Sequence, residues 1–549
     1  MVEELPQGYY LDNFQYLLSF VADRYSDILS EQEQGFIATF AQLSEDAQKT
    51  LVRLLGRRHD YVRDDKCHYV EIGDFNAAVY ELQQRGLLAI NSAEEPLLWL
   101  NFATRPELLK AFPEVPRSLK KAGLCEVIAA DHDFTDIVAR MPFNLLEPRC
   151  SEPVEVLKLL FFGNLYQDFT DFVLHDLGVV QYEAYPLDTA SRYFSNRELV
   201  DETLAAYRLQ ALSEEVIIDE NLNLAEFARQ QVLPLQTTEQ ALQRRYSKVF
   251  NRIARQLERE AEPELAWQIY DKSSLAPARE RQARLYAEQG QVSAALALGE
   301  NMLSEPQVEA EYEFAAMFSH RLVKKFAVAE QPTWLPAKHQ DEFCVEHLQL
   351  PHDPEIKVEA AAAEYYRQQG YLFAEHMENG LLPGLFGLLF WDVIFAPLAG
   401  VFFHPFQRGP ADIFSERFVR DRAEQISARL QLIPETPQLL AALLDTYTAK
   451  YGLANHFVMW RYLDPALIEL AIKRIPPEHL QTVFKRMLRD LKHNRSGFPD
   501  LVLFPESGGY ELVEVKGPGD TLQANQKRWL RCFEANHIPA RVAYVTWQT

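Results

Sequence analysis

From residue 12 to residue 54 apolar side chains recur every three or four positions: Phe14, Leu17, Leu18 and Val21, then Leu51, Leu54 and Leu55. That spacing returns to one face of a 3.6-residue helix, and few Gly or Pro interrupt it, so the segment reads as helical. Residues 75–90 carry another amphipathic helix, ending at Gly86. In NFATRPELLKAFPEVPRSLKKAGL, Thr104 is placed to cap a helix starting at Arg105-Pro106. Proline suits that first turn, where the amide hydrogen it lacks would have no helical partner. Residues 150–235 are less regular and read as helical connections. From about 240 to 330 the pattern becomes helical hairpins. PELAWQIYDKS (263–273) and QVSAALALGEN (291–301) place small and apolar residues at a similar phase, with a helix over 277–289 between them. This is an echo of tetratricopeptide units, which stack because one hairpin cannot bury its own apolar face. QPTWLPAKHQDEF (331–343) reads as a linker, and EIKVEAAAAEYYRQQG as a helix closed by Gly370.

Only the last fifty residues read clearly as α/β. FPDLVLF (498–504) and YELVEVK (510–516) are predicted strands joined by the turn PESGG (505–509). A helix over 520–536, with Asp520 as its cap, and a third strand over 540–547 follow. Before them, LLPGLFGLLFWDVIFAPLAGVFF (381–403) is long enough to span a bilayer. It carries Asp392 at its middle, however, and a mid-span Asp costs about 2.5–3.5 kcal/mol on insertion scales. A helix buried on all sides in a soluble protein is the expected form.

Composition narrows the class. The chain has 549 residues with 48% hydrophobic and 12% aromatic content, which excludes a mainly disordered chain and suggests several domains. Five scattered cysteines (Cys67, Cys125, Cys150, Cys344, Cys532) without a CxxC fit neither a disulfide framework nor a zinc module, and suggest a reducing compartment. The start MVEELPQGYYLDNF has no basic stretch followed by an apolar run, so no signal peptide is expected. No Walker A loop, GxGxxG, HExxH or GxSxG occurs, which leaves no basis for an ATPase, a dinucleotide enzyme, a zincin or an α/β hydrolase.

The formal charge is −24, yet basic residues cluster. Arg53, Arg57, Arg58, Arg63 and Lys66 form one group; Arg117, Lys120 and Lys121 a second; Arg244, Arg245, Lys248, Arg252, Arg255 and Arg259 a third. From Lys473 to Arg495 there are seven Lys or Arg against Glu478 and Asp490. Such stripes on an acidic protein suit a phosphate backbone, and equally suit the solvated faces of amphipathic helices.

Chemistry enters with the hairpin. Folded symmetrically about its turn, it places Phe504 opposite Tyr510, Val502 opposite Leu512 and Asp500 opposite Glu514, with Lys516 on the same face as Glu514. Opposed positions have Cβ atoms about 4.5–5.5 Å apart. Two carboxylates that close repel unless a proton is taken up or a cation lies between them. Hard oxygen ligands favour Mg²⁺ or Mn²⁺, and a neighbouring lysine can position a metal-bound water, so the outline is that of a metal-dependent phosphodiesterase. The same Asp-to-Glu-x-Lys spacing recurs at Asp341 and Glu355-Ile356-Lys357, but without flanking strands to bring the acids together. In the helix after the hairpin, Leu522, Trp529, Leu530 and Phe533 form the apolar stripe, and Gln526 shares that face. An inward amide needs partners, which either the carboxylate site or backbone could provide.

GFPDLVLF (497–504) and ELVEVKGPGDTLQANQKRWL (511–530) resemble the VRR-NUC branch of the PD-(D/E)XK nucleases, with Asp500, Glu514, Lys516 and Gln526 on its motif positions. HMENG (376–380), FGLLFWDVIF (386–395), HNRSGFPD (493–500), PELAW (263–267), RPELLKAF (105–112) and the stretch from YYLDNF to LSEQEQGFIATFAQLS (9–44) extend the likeness. Together they resemble the Fanconi-associated nuclease family. The resemblance implies a mostly α-helical multidomain chain with a C-terminal α/β PD-(D/E)XK (VRR-NUC) nuclease domain. It implies a helical DNA-binding domain over 1–94, a SAP-like element over 95–145, a helical linker region over 146–239, tetratricopeptide-like repeats over 240–345 and the nuclease over 346–549. The implied activity is 5′-flap endonuclease and 5′→3′ exonuclease cleavage in interstrand crosslink repair, with Mg²⁺ or Mn²⁺ as cofactor and branched or flapped DNA as partner.

On that resemblance Glu378, which would otherwise read as a solvated first-turn acid, becomes a metal ligand beside Asp500, Glu514 and the Val515 carbonyl. Lys492 and Arg279 fall at basic positions of a pocket for a terminal 5′-phosphate, and Asn525 stands where a lysine is expected. Lys120, Lys121 and Arg495 are further expected DNA contacts, whereas Lys485 is assigned no role. No Cys/His cluster is present for the ubiquitin-binding zinc finger of the animal members, and the acidic, compact form looks bacterial, which implies a cytoplasmic protein acting on nucleoid DNA. Two other readings compete: a catalytically inert helical DNA- or protein-interaction scaffold, and a junction-resolving nuclease on the same core.

Overall fold

The computed structural model describes residues 8–57, 59–92, 94–169, 178–219, 221–328, 332–337 and 341–548. Arg58 of the first basic group and positions 331 and 338–340 of the expected linker lie outside the described residues. The chain divides into two compact units, one of residues 1–181, 186–200 and 402–406, the other of 182–185, 201–401 and 407–549.

In the first unit the predicted helical stretch is three helices, Tyr9–Tyr25, Glu31–Ala41 and Glu45–Leu55. Leu17, Val21, Tyr25 and Leu51 are fully buried among them. Ser30 opens the second helix with a capping box, its backbone N–H donating to Glu33 Oε2 at 2.6 Å. Four short helices, Pro96–Phe102, Arg105–Ala111, Lys121–Asp131 and Phe134–Arg140, close over Trp99, Leu100, Leu108, Phe112, Leu124 and Ile128. Thr104 caps as predicted, and its N–H donates to Glu107 at 2.7 Å.

The helix expected in 75–90 does stop by Gly86, but the residues after it are not helical. The helix ends at Gln84, Gly86 turns the chain at φ +71°, and Leu88–Ile90 is a strand. It joins a three-stranded antiparallel sheet with β1 (Val62–Arg63), β2 (Leu88–Ile90) and β3 (Leu145–Pro148), in the order β1-β3-β2. Strands of two to four residues are too short to show an alternation, so no pattern announced them.

Two arginines of the first basic group are structural. Arg63 is 7% exposed, gripped by Asp65 and Glu107, and lies 3.7 Å from the Phe143 ring centroid. Arg53 pairs with Glu71 and sits over Tyr10 at 3.9 Å. Lys121 donates to the Asn101 carbonyl at 2.8 Å and Arg57 to the Tyr69 hydroxyl at 2.8 Å, Lys66 lies 3.7 Å from Asp65, and Arg117 and Lys120 are exposed.

The second unit contains a run of helices, Gln240–Arg259, Pro263–Asp271, Ala278–Glu288, Val292–Ser304 and Glu309–Lys325, each packed on the next. The last two approach closely at Gly299, where a Cβ would come within 2.5 Å of Ser319 Oγ.

Beyond them lies a five-stranded mixed sheet of β4 (Val345–Leu350), β5 (Tyr371–His376), β6 (Leu501–Pro505), β7 (Glu511–Lys516) and β8 (Ala540–Trp547), in the order β4-β8-β7-β6-β5. β4, β8 and β7 run parallel; β6 and β5 are antiparallel additions. The helix Val358–Gln368 packs Ala362, Ala363 and Tyr366 against Leu501, Leu503, Val513 and Val545. Another helix, Ala524–Ala535, buries Trp529, Leu530 and Phe533. The repeats and the nuclease sheet are joined by charge: Arg486 pairs with Glu309, Arg528 with Glu313, and Arg531 with both Glu313 and Asp341.

The apolar segment 381–403 is two helices, Leu381–Leu389 and Trp391–Ile394, and every residue of the first is buried. Asp392 leaves the core to pair with Arg429, and among the described residues no helix is long and apolar enough to cross a membrane. Gly384 and Gly387 let Leu463 and Val458 approach to within 2.6 Å of where a Cβ would stand.

Candidate functional site

The hairpin β6–β7 folds in the predicted register. Val502 faces Leu512 and Leu501 faces Val513, so the next pair outward is Asp500 with Glu514. Gly508 and Gly509, at φ +108° and +75°, form the turn that sets this register. Asp500 Oδ2 accepts from the Val515 N–H at 2.8 Å, which ties this acid to the neighbouring strand.

Glu514 is 1% exposed, and its Oε1 receives both Lys516 Nζ at 2.8 Å and Gln526 Nε2 at 2.6 Å. Gln526 is in turn held, its Oε1 accepting from the Gln523 N–H at 2.9 Å. The expectation that Asp520 caps this helix is therefore corrected. The helix starts at Ala524 with Gln523 as its cap, and Gln526 occupies the reciprocal position of the capping box. Asp520 instead accepts from the Gly517 N–H at 3.0 Å, inside a turn completed by Gly519 at φ +88°. One amide thus terminates a helix and orients a carboxylate.

Glu378 comes from the opposite edge. At the end of β5 the Met377 N–H donates to the Asp500 carbonyl at 2.8 Å, which bolts HMENG onto the approach to β6. Asn379, at φ +54°, turns the chain into the buried helix, and its Nδ2 donates to Glu378 Oε1 at 3.1 Å. His376 Nε2 stands 3.9 Å from Asp500 Oδ1. Ligand atoms of His376, Glu378 and Asp500 lie within 4.8 Å of one another. The sequence placed Glu378 here through the resemblance alone, and His376 was missed. Both depend on β5, whose register with β6 no local pattern revealed.

Burial, reinforced by the Asp500 charge, pushes the Glu514 carboxyl up to about 8, with Lys516 opposing. Burial also raises Asp500, against the pull of the Val515 N–H, and Glu378 raises it further. Buried acids with raised proton affinity are held together at a stability cost. An oxygen-rich donor set of this kind, with Asp500, Glu514 and Glu378 as carboxylates, fits a hard divalent cation.

Since burial strengthens the hold of Glu514 on a proton, Mn²⁺ binding there is expected to release protons, and affinity should rise with pH up to about 8. Calorimetry in buffers of different ionisation enthalpy measures this, and an affinity flat from pH 6 to 8 would contradict it. The sign for folding is the reverse. The raised carboxyl binds its proton more tightly in the folded chain, so the metal-free protein loses stability as pH climbs from 4.5 through 8.

The remaining expected contacts scatter. Arg279 is taken up by Glu311 at 2.5 Å, with Asn301 and the Glu305 carbonyl completing its fork, and Glu311 is fully buried. Arg495 lies 4.5 Å from the Phe414 ring centroid, and Lys485 donates to Gln481. Lys492 belongs to a different cluster. Burial and then the charges of Arg245, Lys492 and Arg244 push the Lys248 ammonium down. Beside this cluster Lys248, Arg252, Arg255, Arg259 and Arg281 line a groove of about 680 Å³ along the helix Gln240–Arg259. Glu214 pairs with Arg252, and Glu258 with Arg255 and Arg281, so its positive charge is offset in part. The third basic stripe of the sequence is thus one side of a groove, and Asn525 stands near Gly497, its Oδ1 accepting from the Gln526 N–H at 3.0 Å.

The family description "VRR-NUC domain" matches residues 435–547, and "FAN1, HTH domain" matches residues 8–89. A Fanconi-associated nuclease 1 homolog of Pseudomonas aeruginosa is 34% identical, over 99% of this chain and 97% of that one. Human Fanconi-associated nuclease 1 is 24% identical over 98% of this chain and 62% of its own greater length. Among solved structures, paFAN1 bound to 2-nucleotide 5′-flap DNA with a gap superimposes with a TM-score of 0.86 at 33% identity, covering 100% of both chains. A second complex of paFAN1, with 1-nucleotide 5′-flap DNA, gives 0.85 at 34% identity.

Proposed function

This chain belongs to the Fanconi-associated nuclease family, and on that premise we propose that it is a metal-dependent, structure-specific DNA nuclease. In this reading it incises 5′ flaps, degrades 5′→3′ from ends, and acts in the repair of interstrand crosslinks. The observation that carries the reading is the arrangement of buried Asp500, Glu514 and Lys516 with Gln526, beside Glu378.

Asp500, Glu514, Glu378 and the Val515 carbonyl would hold Mg²⁺ or Mn²⁺, which would supply Lewis-acid polarisation of a phosphodiester and of a water beside it. Lys516, tethered to Glu514, presents its ammonium where water must be oriented and where charge grows on the phosphate. Gln526 is a positioning residue, since its side chain bonds Glu514 and the Gln523 N–H. The products carry 5′-phosphate and 3′-hydroxyl ends. Lys492, Lys248, Arg244 and Arg245 form a concentration of positive charge suited to a phosphate terminus, and the adjoining groove is the candidate path for a strand. Relatives bound to flapped DNA support the substrate class.

The test is cleavage of end-labelled 5′-flap, 3′-flap, four-way and plain duplex DNA with Mn²⁺ or EDTA, comparing the wild type with Asp500→Ala. Metal-dependent incision near the 5′-flap junction, lost in the variant, is the expected result. Tight flap binding without cleavage would overturn the assignment in favour of an inert scaffold, and paired symmetric cuts of the four-way substrate in favour of a junction-resolving enzyme.

A further inference from the structure

We propose that Arg461 seats the cleaved strand, its guanidinium gripping a phosphate next to the scissile one, beside the loop that carries Glu378. This deepens the nuclease reading above and rests on it.

Trp460–Tyr462 is a single 3₁₀ turn, and its neighbours fix it on three sides. Trp460 Nε1 donates to the Leu453 carbonyl at 2.8 Å, and its ring lies 5.3 Å from that of Tyr451 and 5.6 Å from that of Tyr447. Leu463, next in the chain, presses on Gly384, with Cδ1 2.6 Å from where a Cβ would stand. Tyr462 lies on Gly380 in the same way, its Cγ and Cδ2 at 3.1 Å. Gly380 ends HMENG, two residues after Glu378, so the turn rests against the loop that presents this acid.

Arg461 is the exposed residue of the turn. Its Cζ stands 4.6 Å from the Tyr462 ring centroid, and its Nη2 donates to the Tyr462 hydroxyl at 3.1 Å. One ring thus orients a side chain that is otherwise free among many rotamers, and part of the ordering cost of binding is met before a ligand arrives. Among the described residues no carboxylate pairs with Arg461. The closest acid in sequence, Asp464, caps the helix Pro465–Arg474 and accepts from the Leu467 N–H at 2.9 Å. Arg63, Arg279 and Arg541, by contrast, are each held by an acid.

A held guanidinium without a counter-charge, beside a nest of carboxylates, suits an anion that those carboxylates would otherwise repel. Lys516 cannot take that part alone, since its ammonium is already bonded to Glu514. A guanidinium fork matches two oxygens of a phosphate, and a strand drawn to the acids by a metal ion brings a phosphate on either side of the one to be cut. Arg461 is therefore a positioning residue for the strand, acting on binding rather than on the bond-breaking step.

The full-length protein should be assayed on 5′-flap DNA, with affinity measured in Ca²⁺ and cleavage in Mn²⁺. Arg461→Ala is expected to raise Kd and KM about 5–20-fold, with the loss in KM rather than kcat. The log–log dependence of affinity on salt should become shallower by about 0.7–0.9, the contribution of one phosphate contact. Arg461→Lys should restore the salt dependence and recover part of the affinity. Uncharged methylphosphonates, placed one at a time along the cleaved strand, locate the contact. At one position next to the cut the substitution should weaken the wild type and leave Arg461→Ala unaffected. An unchanged salt dependence in Arg461→Ala, or no position at which the two proteins differ, would overturn the assignment and leave the nuclease reading standing. A wild type that neither binds nor cleaves the flap would overturn both.

Discussion

Replacing Lys516 with alanine should lower single-turnover cleavage of a 5′ flap by about 10²–10⁴-fold while leaving flap binding largely intact. The reasoning starts at the pair itself. Lys516 Nζ is 2.8 Å from Glu514 Oε1 and is nearly buried, so its charge does two things. It offsets the repulsion between Glu514 and Asp500, and it holds a donor over the carboxylates where the reacting phosphate must come. Removal leaves Glu514 with Gln526 as its remaining side-chain donor, so its proton affinity rises further and metal uptake weakens. The comparison therefore belongs at saturating Mn²⁺, where the first effect is suppressed and the second remains. Wild-type turnover under those conditions would remove Lys516 from the mechanism. Lys516→Arg should recover little, because a planar fork cannot reproduce a compact ammonium beside a buried acid.

The second large effect concerns stability. Gly163 ends the helix Ser151–Phe162 at φ +71°, and the Phe403 ring comes within 2.6 Å of where a Cβ would be. In Gly163→Ala two costs act in one direction. The left-handed backbone disfavours a side chain by about 1–2 kcal/mol, and overpacking against an aromatic ring adds about 1–3 kcal/mol. The sum, about 2–5 kcal/mol, should appear as a clear drop in the unfolding temperature of the unit that contains both residues. The nuclease residues lie in the other unit, so a metal titration at low temperature should remain normal. An unchanged melting curve would mean that Phe403 can move aside at no cost.

How much of this was legible in the residues follows a physical rule. The hairpin could be read because its turn and both strands are contiguous, so symmetry about residues 505–509 alone placed Asp500 opposite Glu514. Helices with long apolar stripes could be read for the same reason. β4 and β5 could not. Tyr371 and Leu372 pair with, or adjoin, strands more than a hundred residues away, and an edge strand with mixed polarity leaves no alternation to find. His376 was missed with that strand. Basic residues were misleading in a different way. Arg63 and Arg279 look alike in sequence to Lys492, but their acids, Glu107 and Glu311, lie dozens of residues off, and charge in a sequence does not say what neutralises it. Gln526 was a partial success: the inward face was visible, but its double attachment to Glu514 and Gln523 required the helix to start four residues later than expected.

The ion pairs between the last repeat helix and the nuclease helix give the catalytic lobe a dependence that its domain boundary conceals. Arg528 and Arg531 project from the same helix that carries Gln526, and their counter-charges Glu309 and Glu313 belong to the preceding repeats. Arg486, 11% exposed and 4.8 Å from the Trp529 ring centroid, leans on Glu309 as well. A fragment cut at the start of the sheet would leave Arg528 and Arg531 without their acids on the helix that aims an amide at Glu514, and Arg486 of the helix Pro477–Arg489 without its own. The nuclease lobe is therefore not a transplantable cassette. Its chemistry has been built on borrowed scaffolding, and any shortened or chimeric version has to carry Glu309 and Glu313 with it.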